Sequence, residues 1–267
     1  MSDNTYYQQF DGIILSIRKY KENDRLIKIF TREYGKLMFF VRQGNKPNNK
    51  LRQISFPFLQ AQFIGKINQD GLSFLNDYGN AQFPKRAMAD IEANAYATHL
   101  CALVDASMED REVDDHLFTL LQTALGRLEA GYDPVIISNI FEIQILPKFG
   151  ISLQLQHCAI CGQVNRPMDF SVSFSGLICD QHYYRDEHRM HWHPRAAYFI
   201  QLFQSIVLDK VKTIHMSKET KCMIREAIDS LYEEYVGIRL RSRSFISQLE
   251  NLENPLDDKE ENQYSNH

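Results

Sequence analysis

Two short cysteine-containing pairs constrain this chain more than any other feature of its sequence. Cys158 and Cys161 form a CxxC pair, and after seventeen intervening residues Cys179 and His182 form a CxxH pair. Zinc takes four tetrahedral ligands, and a CxxC turn presents two thiolates from one tight loop. Gly162 gives that loop a residue that tolerates positive φ. The pattern therefore predicts one structural Zn²⁺ per chain, held by these three cysteines and His182.

The segment between the two pairs has the pattern of a small β-hairpin. Phe170, Val172 and Phe174 alternate with serines, and Ser175-Gly176 offers a turn. Such a hairpin would carry Cys179 back to the first pair, so that metal and hairpin form one unit.

Other uses of these residues are weaker. A redox CxxC would require a βαβ context, which is absent, and would leave the second pair unexplained. A catalytic zinc needs an open position and often a carboxylate base, and no deaminase-type His-x-Glu precedes the cysteines. The fourth ligand stays open at this point. Four further histidines lie close in sequence, namely His157, His188, His191 and His193.

Composition places the chain among globular proteins of a reducing compartment. Its 267 residues are 44% hydrophobic and 24% charged, and the amino terminus lacks the basic and apolar regions of a signal peptide. We expect a cytoplasmic, nucleoid-associated protein without membrane contact. The remaining cysteines, Cys101 and Cys222, are expected to be small buried hydrophobic residues.

Charge is divided unevenly along the chain. Residues 1–80 hold twelve basic and seven acidic side chains, a formal charge of +5, and since the whole chain carries −4, the remainder carries −9. This asymmetry indicates a polyanion-binding module attached to a part with another task. A solvated basic face without a ligand is an equally good interpretation of charge alone.

Residues 1–80 have the period-two patterning of strands. Alternation predicts five strands, at about 10–18, 25–31, 37–41, 58–66 and 72–78, separated by polar turns. Five short strands in this length predict a small closed barrel of the OB-fold type. Of the two faces of the third strand, the one that continues to Arg42 is expected to be exposed to solvent.

Beyond Phe83-Pro84 the period becomes helical. Apolar stripes and caps predict helices at about 88–103, 117–128, 135–146, 194–208 and 217–236. The fold class is thus α+β: an OB-fold domain at 1–80, then a helical domain at 84–249 with a zinc insert at 157–193. Residues 250–267 are too polar to bury a core and are predicted to be a disordered acidic tail.

The chain resembles the RecO family of bacterial recombination mediators over nearly its whole length. The segments on which the resemblance rests are Asp11–Arg18, Tyr20–Leu26, Phe30–Lys36, Lys46–Arg52 and Lys148–Gly150. The resemblance implies an OB-fold, a helical domain with an embedded zinc site, and no catalysis. It also implies binding of single-stranded and double-stranded DNA, annealing of complementary strands, and loading of RecA, together with RecR, onto strands coated by single-stranded DNA-binding protein. Two departures from the family pattern are a less basic loop at 43–50 and a histidine as the last metal ligand.

We predict that the barrel holds DNA through cations in turns and at strand ends. These residues are Arg18, Lys19, Arg25, Arg42, Lys46, Lys50 and Arg52. OB-folds also stack bases on aromatic rings, and the candidates are Tyr20, Tyr34, Phe39 and Phe40. If the barrel loop is only a solvated connection, the alternative DNA site is Arg239, Arg241 and Arg243.

The helical domain is expected to dock proteins, because its acidic balance repels DNA. The proposed ligand is the acidic, hydrophobic C-terminal tail of single-stranded DNA-binding protein, and the candidate cationic rim is Arg195, Lys210, Lys212 and Arg225. Two other function classes remain as alternatives. A zinc-dependent hydrolase or deaminase lacks a supporting motif, and a zinc-ribbon RNA-binding or transcription accessory protein would prefer structured RNA or duplex.

Overall fold

The first part of the chain is a closed five-stranded barrel. A computed structural model describes residues 7–212 and 214–252. The strands are β1 (Gln8–Tyr20), β2 (Asp24–Thr31), β3 (Gly35–Val41), β4 (Gln60–Lys66) and β5 (Ser73–Gln82), hydrogen-bonded in the order β1-β2-β3-β5-β4. Neighbouring strands are antiparallel except β3 and β5, which run parallel. The predicted OB-type barrel is confirmed.

Alternation of side chains explains the barrel interior. Leu37, Phe39 and Val41 are buried while Arg42 is exposed, so the expected wet face of β3 is confirmed. Phe10 stacks on Phe39 at 5.3 Å between ring centroids. The core leaves no room for a side chain at Gly12, because a Cβ there would stand 2.6 Å from a methyl group of Ile29 and 2.9 Å from the Phe63 ring. The interior is therefore a packed apolar core.

Helices make up most of the second part. They are α1 (Lys85–Ala89), α2 (Ile91–Ser107), α3 (Asp115–Glu129), α4 (Pro134–Ile145), α5 (Pro194–Ser205), α6 (Lys218–Leu231), a π-helical turn (Tyr232–Val236) and α7 (Arg241–Leu252). Side-chain caps begin several of them: Asp90 for α2, Asp114 for α3, Asp133 for α4 and Ser217 for α6. Between α4 and α5 lies a hairpin of β6 (Met168–Ser171) and β7 (Gly176–Cys179). No helix in the two described ranges has the length and apolar character needed to cross a bilayer.

Two expectations need correction. Cys222 is exposed on α6, whereas Cys101 is buried as predicted; Cys222 lies on the solvent side of the α6 stripe. Helix α7 was not predicted, and it extends to Leu252, so the first three residues of the proposed tail are helical. The rest of that tail, 253–267, lies outside the described residues.

Barrel and helices meet at the turn between β2 and β3. Gly35 has φ of +68°, and a Cβ there would lie 2.2 Å from the carbonyl oxygen of Glu112, so only glycine fits. The buried Lys36 Nζ donates to the carbonyl oxygens of Asp105 (2.6 Å) and Met108 (2.8 Å). It also forms an ion pair with the Asp105 carboxylate at 3.0 Å. This turn thus inserts into the end of α2 and fixes the barrel against the helices.

Candidate metal centre and nucleic-acid interface

The structure brings together the thiols of Cys158, Cys161 and Cys179 with the imidazole of His182. Their ligand atoms all lie within 4.8 Å of one another. The Cys161 and Cys179 sulfurs are 3.8 Å apart, and His182 Nδ1 lies 3.7 Å from the Cys158 sulfur and 3.2 Å from that of Cys179. Bonds of about 2.3 Å at tetrahedral angles place two zinc-bound thiolates about 3.8 Å apart. This cluster can hold one tetrahedral metal ion, and its sulfurs are too distant for a disulfide.

Backbone geometry prepares one of the thiols for metal binding. Burial opposes ionisation of Cys158, but the backbone N–H groups of Cys161, Cys179 and Ile160 lower its pKa to about 6. Burial raises the pKa of the Cys179 thiol to about 11, and the neighbouring sulfurs add to that shift. A bound cation reverses this effect, because metal ligation requires the thiolate form.

The four other histidines near the cluster make different contacts or are exposed. His157 Nδ1 lies 3.1 Å from the carbonyl oxygen of Cys158, and His193 caps α5 by accepting from the Arg195 N–H at 3.1 Å. His188 and His191 are exposed and do not join the cluster of ligand atoms found within the described part of the chain. Of the candidate histidines, His182 is therefore the one placed to ligate.

The hairpin attaches this centre to the helices. Asp169 on β6 is buried, accepts from the Trp192 backbone N–H at 2.7 Å, and pairs with Arg189 at 2.8 Å. The Phe170 ring stacks on Trp192 at 4.9 Å, and the Trp192 indole N–H donates to Ser230 on α6. The metal cluster and the helical core thus share one packed interface.

The seven cations predicted to hold DNA lie toward one end of the barrel. Arg18 and Lys19 end β1, Arg25 begins β2 opposite Lys19, and Arg42 directly follows β3. Lys46, Lys50 and Arg52 belong to the β3–β4 connection, whose Asn45 N–H donates to the carbonyl oxygen of Asn23 between β1 and β2. Strand pairing explains this convergence of residues that are distant in sequence.

These cations differ in what they contact. Lys50 pairs with Asp77 at 2.6 Å, and Arg25 donates to the Asn45 side chain. Burial and, to a smaller extent, repulsion by Arg52 lower the pKa of Arg25. The two guanidinium groups are therefore close enough to repel each other. The other five form no ion pair with any described residue and are exposed; they are Arg18, Lys19, Arg42, Lys46 and Arg52. Their charges are open to an anionic ligand.

Part of the basic excess of residues 1–80 has a structural use instead. Lys28 pairs with Asp105 at 2.7 Å, Lys36 pairs with the same carboxylate at 3.0 Å, and Arg32 pairs with Asp115 on α3. These three cations of the barrel neutralise acidic groups of the helical domain. Part of the charge asymmetry in the sequence thus reflects ion pairs across the interface between the two halves.

The aromatic candidates separate into core and surface. Phe39 is fully buried, and the half-buried Tyr34 packs against the barrel core beside Phe10. Tyr20 is exposed and Phe40 is half-buried on the outer face. Sequence reasoning missed Phe74, an exposed ring on β5 that lies 6.0 Å from Phe40.

A groove between α3, α4 and α5 forms an apolar hollow in the helical domain. Its volume is about 450 Å³, and its lining includes Leu120, Ile143, Leu153, Ile206 and Val207. Lys210 and Lys212 are exposed just beyond Asp209 at its edge.

One member of the predicted cationic rim is misplaced. Arg225 is buried, because both of its terminal nitrogens bind Glu142 at 2.8 and 2.9 Å. Arg243, from the alternative DNA site, likewise pairs with Asp229 and Glu250, while Arg239 and Arg241 are exposed.

Comparison with known proteins agrees with this architecture. Residues 1–81 match the family model for the N-terminal domain of recombination protein O, and residues 88–244 match the model for its C-terminal domain. A DNA repair protein RecO of Enterococcus faecalis is 46% identical over 245 residues, covering 92% of this chain and 94% of that protein. One from Streptococcus pyogenes serotype M1 is 45% identical over 238 residues, covering 89% and 94%. The chain belongs to the RecO family.

Two of the segments that carry the resemblance to RecO proteins meet in the fold. Lys36 binds the end of α2, and Lys148 binds Glu112 at 2.8 Å and Asp114 at 2.7 Å in the connection that follows. Gly150 ends the short helical turn Leu146–Phe149, which carries Lys148, with φ of +76°. In this RecO-family chain, Lys36 therefore joins the barrel to the helices, and Lys148 holds the connection after α2 within the helical domain. Their charge alone does not indicate these structural roles.

Proposed function

We propose that this RecO-family protein is a non-catalytic recombination mediator in DNA repair. It binds single-stranded and double-stranded DNA through the barrel and anneals complementary strands. With RecR, it assists loading of RecA onto strands coated by single-stranded DNA-binding protein, and it acts at the nucleoid. The observation that carries the DNA-binding part is the group of exposed, unpaired cations at one end of the barrel.

Electrostatics supports this assignment. Nucleic-acid affinity comes largely from Lys and Arg that neutralise phosphates, and OB-folds bind strands along an outer face of the barrel. Arg18, Lys19, Arg42, Lys46 and Arg52 supply the charge from β1 and the β3–β4 connection. Phosphate contacts carry no base information, so this part of the affinity is independent of sequence.

Zinc has a structural role in this proposal. Three thiolates and one imidazole saturate a tetrahedral ion, leaving no open position for substrate or water. Zinc would neutralise the buried Cys158 and Cys179 thiolates and join the CxxC loop to the hairpin, and its binding energy would contribute to folding.

The helical domain would dock the tail of single-stranded DNA-binding protein. The groove beside α5 offers an apolar lining for the hydrophobic end of that tail, and Lys210 and Lys212 offer positive charge at its edge for the acidic residues. Arg195 lies in the first turn of α5, away from the groove, which the last residues of that helix line.

A salt series tests the DNA-binding assignment. Replacing Arg42, Lys46, Lys50 and Arg52 together by Ala should weaken single-strand binding. Four to six phosphate contacts give the unmodified protein a log–log salt slope of roughly −3 to −4, and each lost contact reduces its magnitude by roughly 0.7. Affinity is measured by fluorescence anisotropy over a range of salt concentrations, with folding checked by circular dichroism.

A matched control changes the net charge equally on the other half of the molecule. Its four exposed positions are Lys85, Arg185, Arg195 and Lys210. This control should keep the slope of the unmodified protein. If the barrel variant keeps both affinity and slope, the loop is a solvated connection and DNA is held elsewhere, with Arg239 and Arg241 next to be tested.

A further inference from the structure

One row of side chains crosses the outer face of the barrel. Strand register places Arg18 opposite Leu26, Leu26 opposite Phe40, Phe40 opposite Phe74, and Phe74 opposite Lys66. The row therefore uses all five strands, with a cation at each end and aromatic rings in the middle. Directly opposite residues share a face of the sheet.

Three rings form a continuous surface along this row. Tyr20 lies two residues beyond Arg18 on β1 and shares its face, and its ring is 6.0 Å from Phe40 at 87°. Phe40 is 6.0 Å from Phe74 at 83°. Tyr20 and Phe74 are 41% and 45% exposed, respectively. We call Tyr20, Phe40 and Phe74 the aromatic platform.

The platform is not part of the barrel core. Phe39, the neighbour of Phe40, points inward and is fully buried, whereas the platform rings face outward next to charged side chains. The Lys21 ammonium lies 5.6 Å from the centre of the Tyr20 ring, so a further cation borders the same surface. An apolar surface bordered by Arg18, Lys21 and Lys66 matches a ligand with flat apolar groups and negative charge.

We propose that the aromatic platform stacks the unpaired bases of a single-stranded nucleic acid, while Arg18 and Lys66 contact the flanking phosphates. This inference rests on the proposed DNA binding and assigns its base-contacting surface. Every base has a flat π-face, so such stacking adds affinity with little sequence preference. An apolar peptide would use the rings but not the cations at both ends of the row.

The platform distinguishes single strands from duplexes. Bases in a duplex stack on one another and are not free to lie on Phe74 or Tyr20. The cations near the β3–β4 connection serve both forms of DNA, because phosphates are present in each. Single-strand preference should then come from the rings and salt dependence from the cations.

The test compares an oligothymidylate with an abasic strand of the same length, which keeps the phosphates and lacks the bases. The unmodified protein should bind the thymidylate more tightly by about 5- to 150-fold, the range for one well-stacked base. Phe74→Leu keeps an apolar side chain but removes the flat ring. It should lower thymidylate affinity about tenfold and leave duplex binding, abasic-strand binding and salt slope unchanged.

Matched variants separate stacking from a change in folding. Phe83→Leu is the control, because Phe83 is 39% exposed just after β5 and lies off the row; it should behave like the unmodified protein. Tyr20→Leu tests the same surface from β1 should Phe74→Leu fail to fold. Phe74→Trp should keep the affinity, and its added fluorescence should be quenched on binding thymidylate.

The outcomes are distinguishable. Salt-dependent binding of both strands with equal affinity, unaffected by Phe74→Leu or Tyr20→Leu, overturns the stacking proposal and leaves DNA binding by the cations intact. Absence of binding to any strand overturns the proposed function itself, and stacking with it. Loss of thymidylate preference in Phe74→Leu alone, with the Phe83→Leu control unchanged, supports the platform.

Discussion

Glu142 and Arg225 form a buried ion pair between α4 and α6. Both carboxylate oxygens accept from Arg225, and one also accepts from Ser138 at 2.9 Å. The same two terminal nitrogens of Arg225 also reach Asn139 and, on the next turn of α6, Asp229, while the buried Arg225 Nε has no hydrogen-bond partner among the described residues. Pairing of the two opposite charges is what makes them tolerable in the interior, since an unpaired buried charge costs several kcal/mol.

Removing one partner should therefore be more harmful than removing both. We expect Glu142→Gln to destabilise the helical domain by about 3–5 kcal/mol, because Arg225 stays buried without its main counter-ion. The double variant Glu142→Gln/Arg225→Met should be less destabilised than the single one. Urea unfolding at pH 7, followed by circular dichroism, measures both. A double variant that is at least as unstable as the single one would contradict this account.

The same pair gives a signed pH dependence. Burial opposes ionisation of Glu142, but attraction to Arg225 and hydrogen bonds from His99 and Arg225 hold its pKa well below the usual range. A depressed folded-state pKa stabilises the fold above the unfolded pKa of about 4.3, and that stability is lost as pH falls toward the folded value. The difference in unfolding free energy between the unmodified protein and Glu142→Gln should thus shrink by about 1.4 kcal/mol per pH unit below about pH 4.3.

At the scale of elements, the β6–β7 hairpin is too short to fold alone. Each strand has four residues, and their side chains are all buried against the metal cluster or the helices. Two-stranded hairpins are marginal in water without further packing. The metal centre on one side and Trp192 on the other supply the missing contacts.

Loss of the metal should unfold this unit. We expect Cys161→Ser to bind no zinc and to become sensitive to protease, because the exposed Cys161 closes the cluster without being part of the core. Trp192 is the single tryptophan of the chain and stacks on β6, so its emission should shift to the red. Cys222→Ser, a change at an exposed cysteine outside the cluster, is the matched control. A soluble, fully folded and metal-free Cys161→Ser protein would refute the structural role.

The sequence predicts those elements whose signals are local. Spacing indicated the metal ligands, and period-two and helical patterns indicated the barrel strands and five helical segments. Helix α7 was missed even though Phe245, Leu249 and Leu252 have helical spacing, because the polar residues around them dominate the composition. The position of Phe74 beside Phe40 was beyond sequence reasoning, since it depends on the parallel pairing of β5 with β3.

At the scale of the whole molecule, ion pairs and backbone contacts fix the barrel relative to the helices. Lys28 and Lys36 share Asp105, and Arg32 pairs with Asp115 while its guanidinium lies 4.5 Å from the Phe118 ring. The proposed DNA surface on the barrel and the groove beside α5 are therefore held at a constant separation. A strand still carrying single-stranded DNA-binding protein could meet both surfaces of one molecule.

The proposed tail docking can be tested at the groove beside α5. Val207 lines the groove and is 55% exposed, so Val207→Glu should leave the fold intact while placing a carboxylate against an acidic tail. We expect affinity for a labelled tail peptide to fall about tenfold or more, as measured by anisotropy, with DNA affinity unchanged. Val164→Glu is the matched control, because Val164 is 54% exposed beside a different hollow. Single-stranded DNA-binding protein without its tail should also fail to co-purify with this protein, and equal recovery of the full-length and tail-less forms would reject docking through the tail.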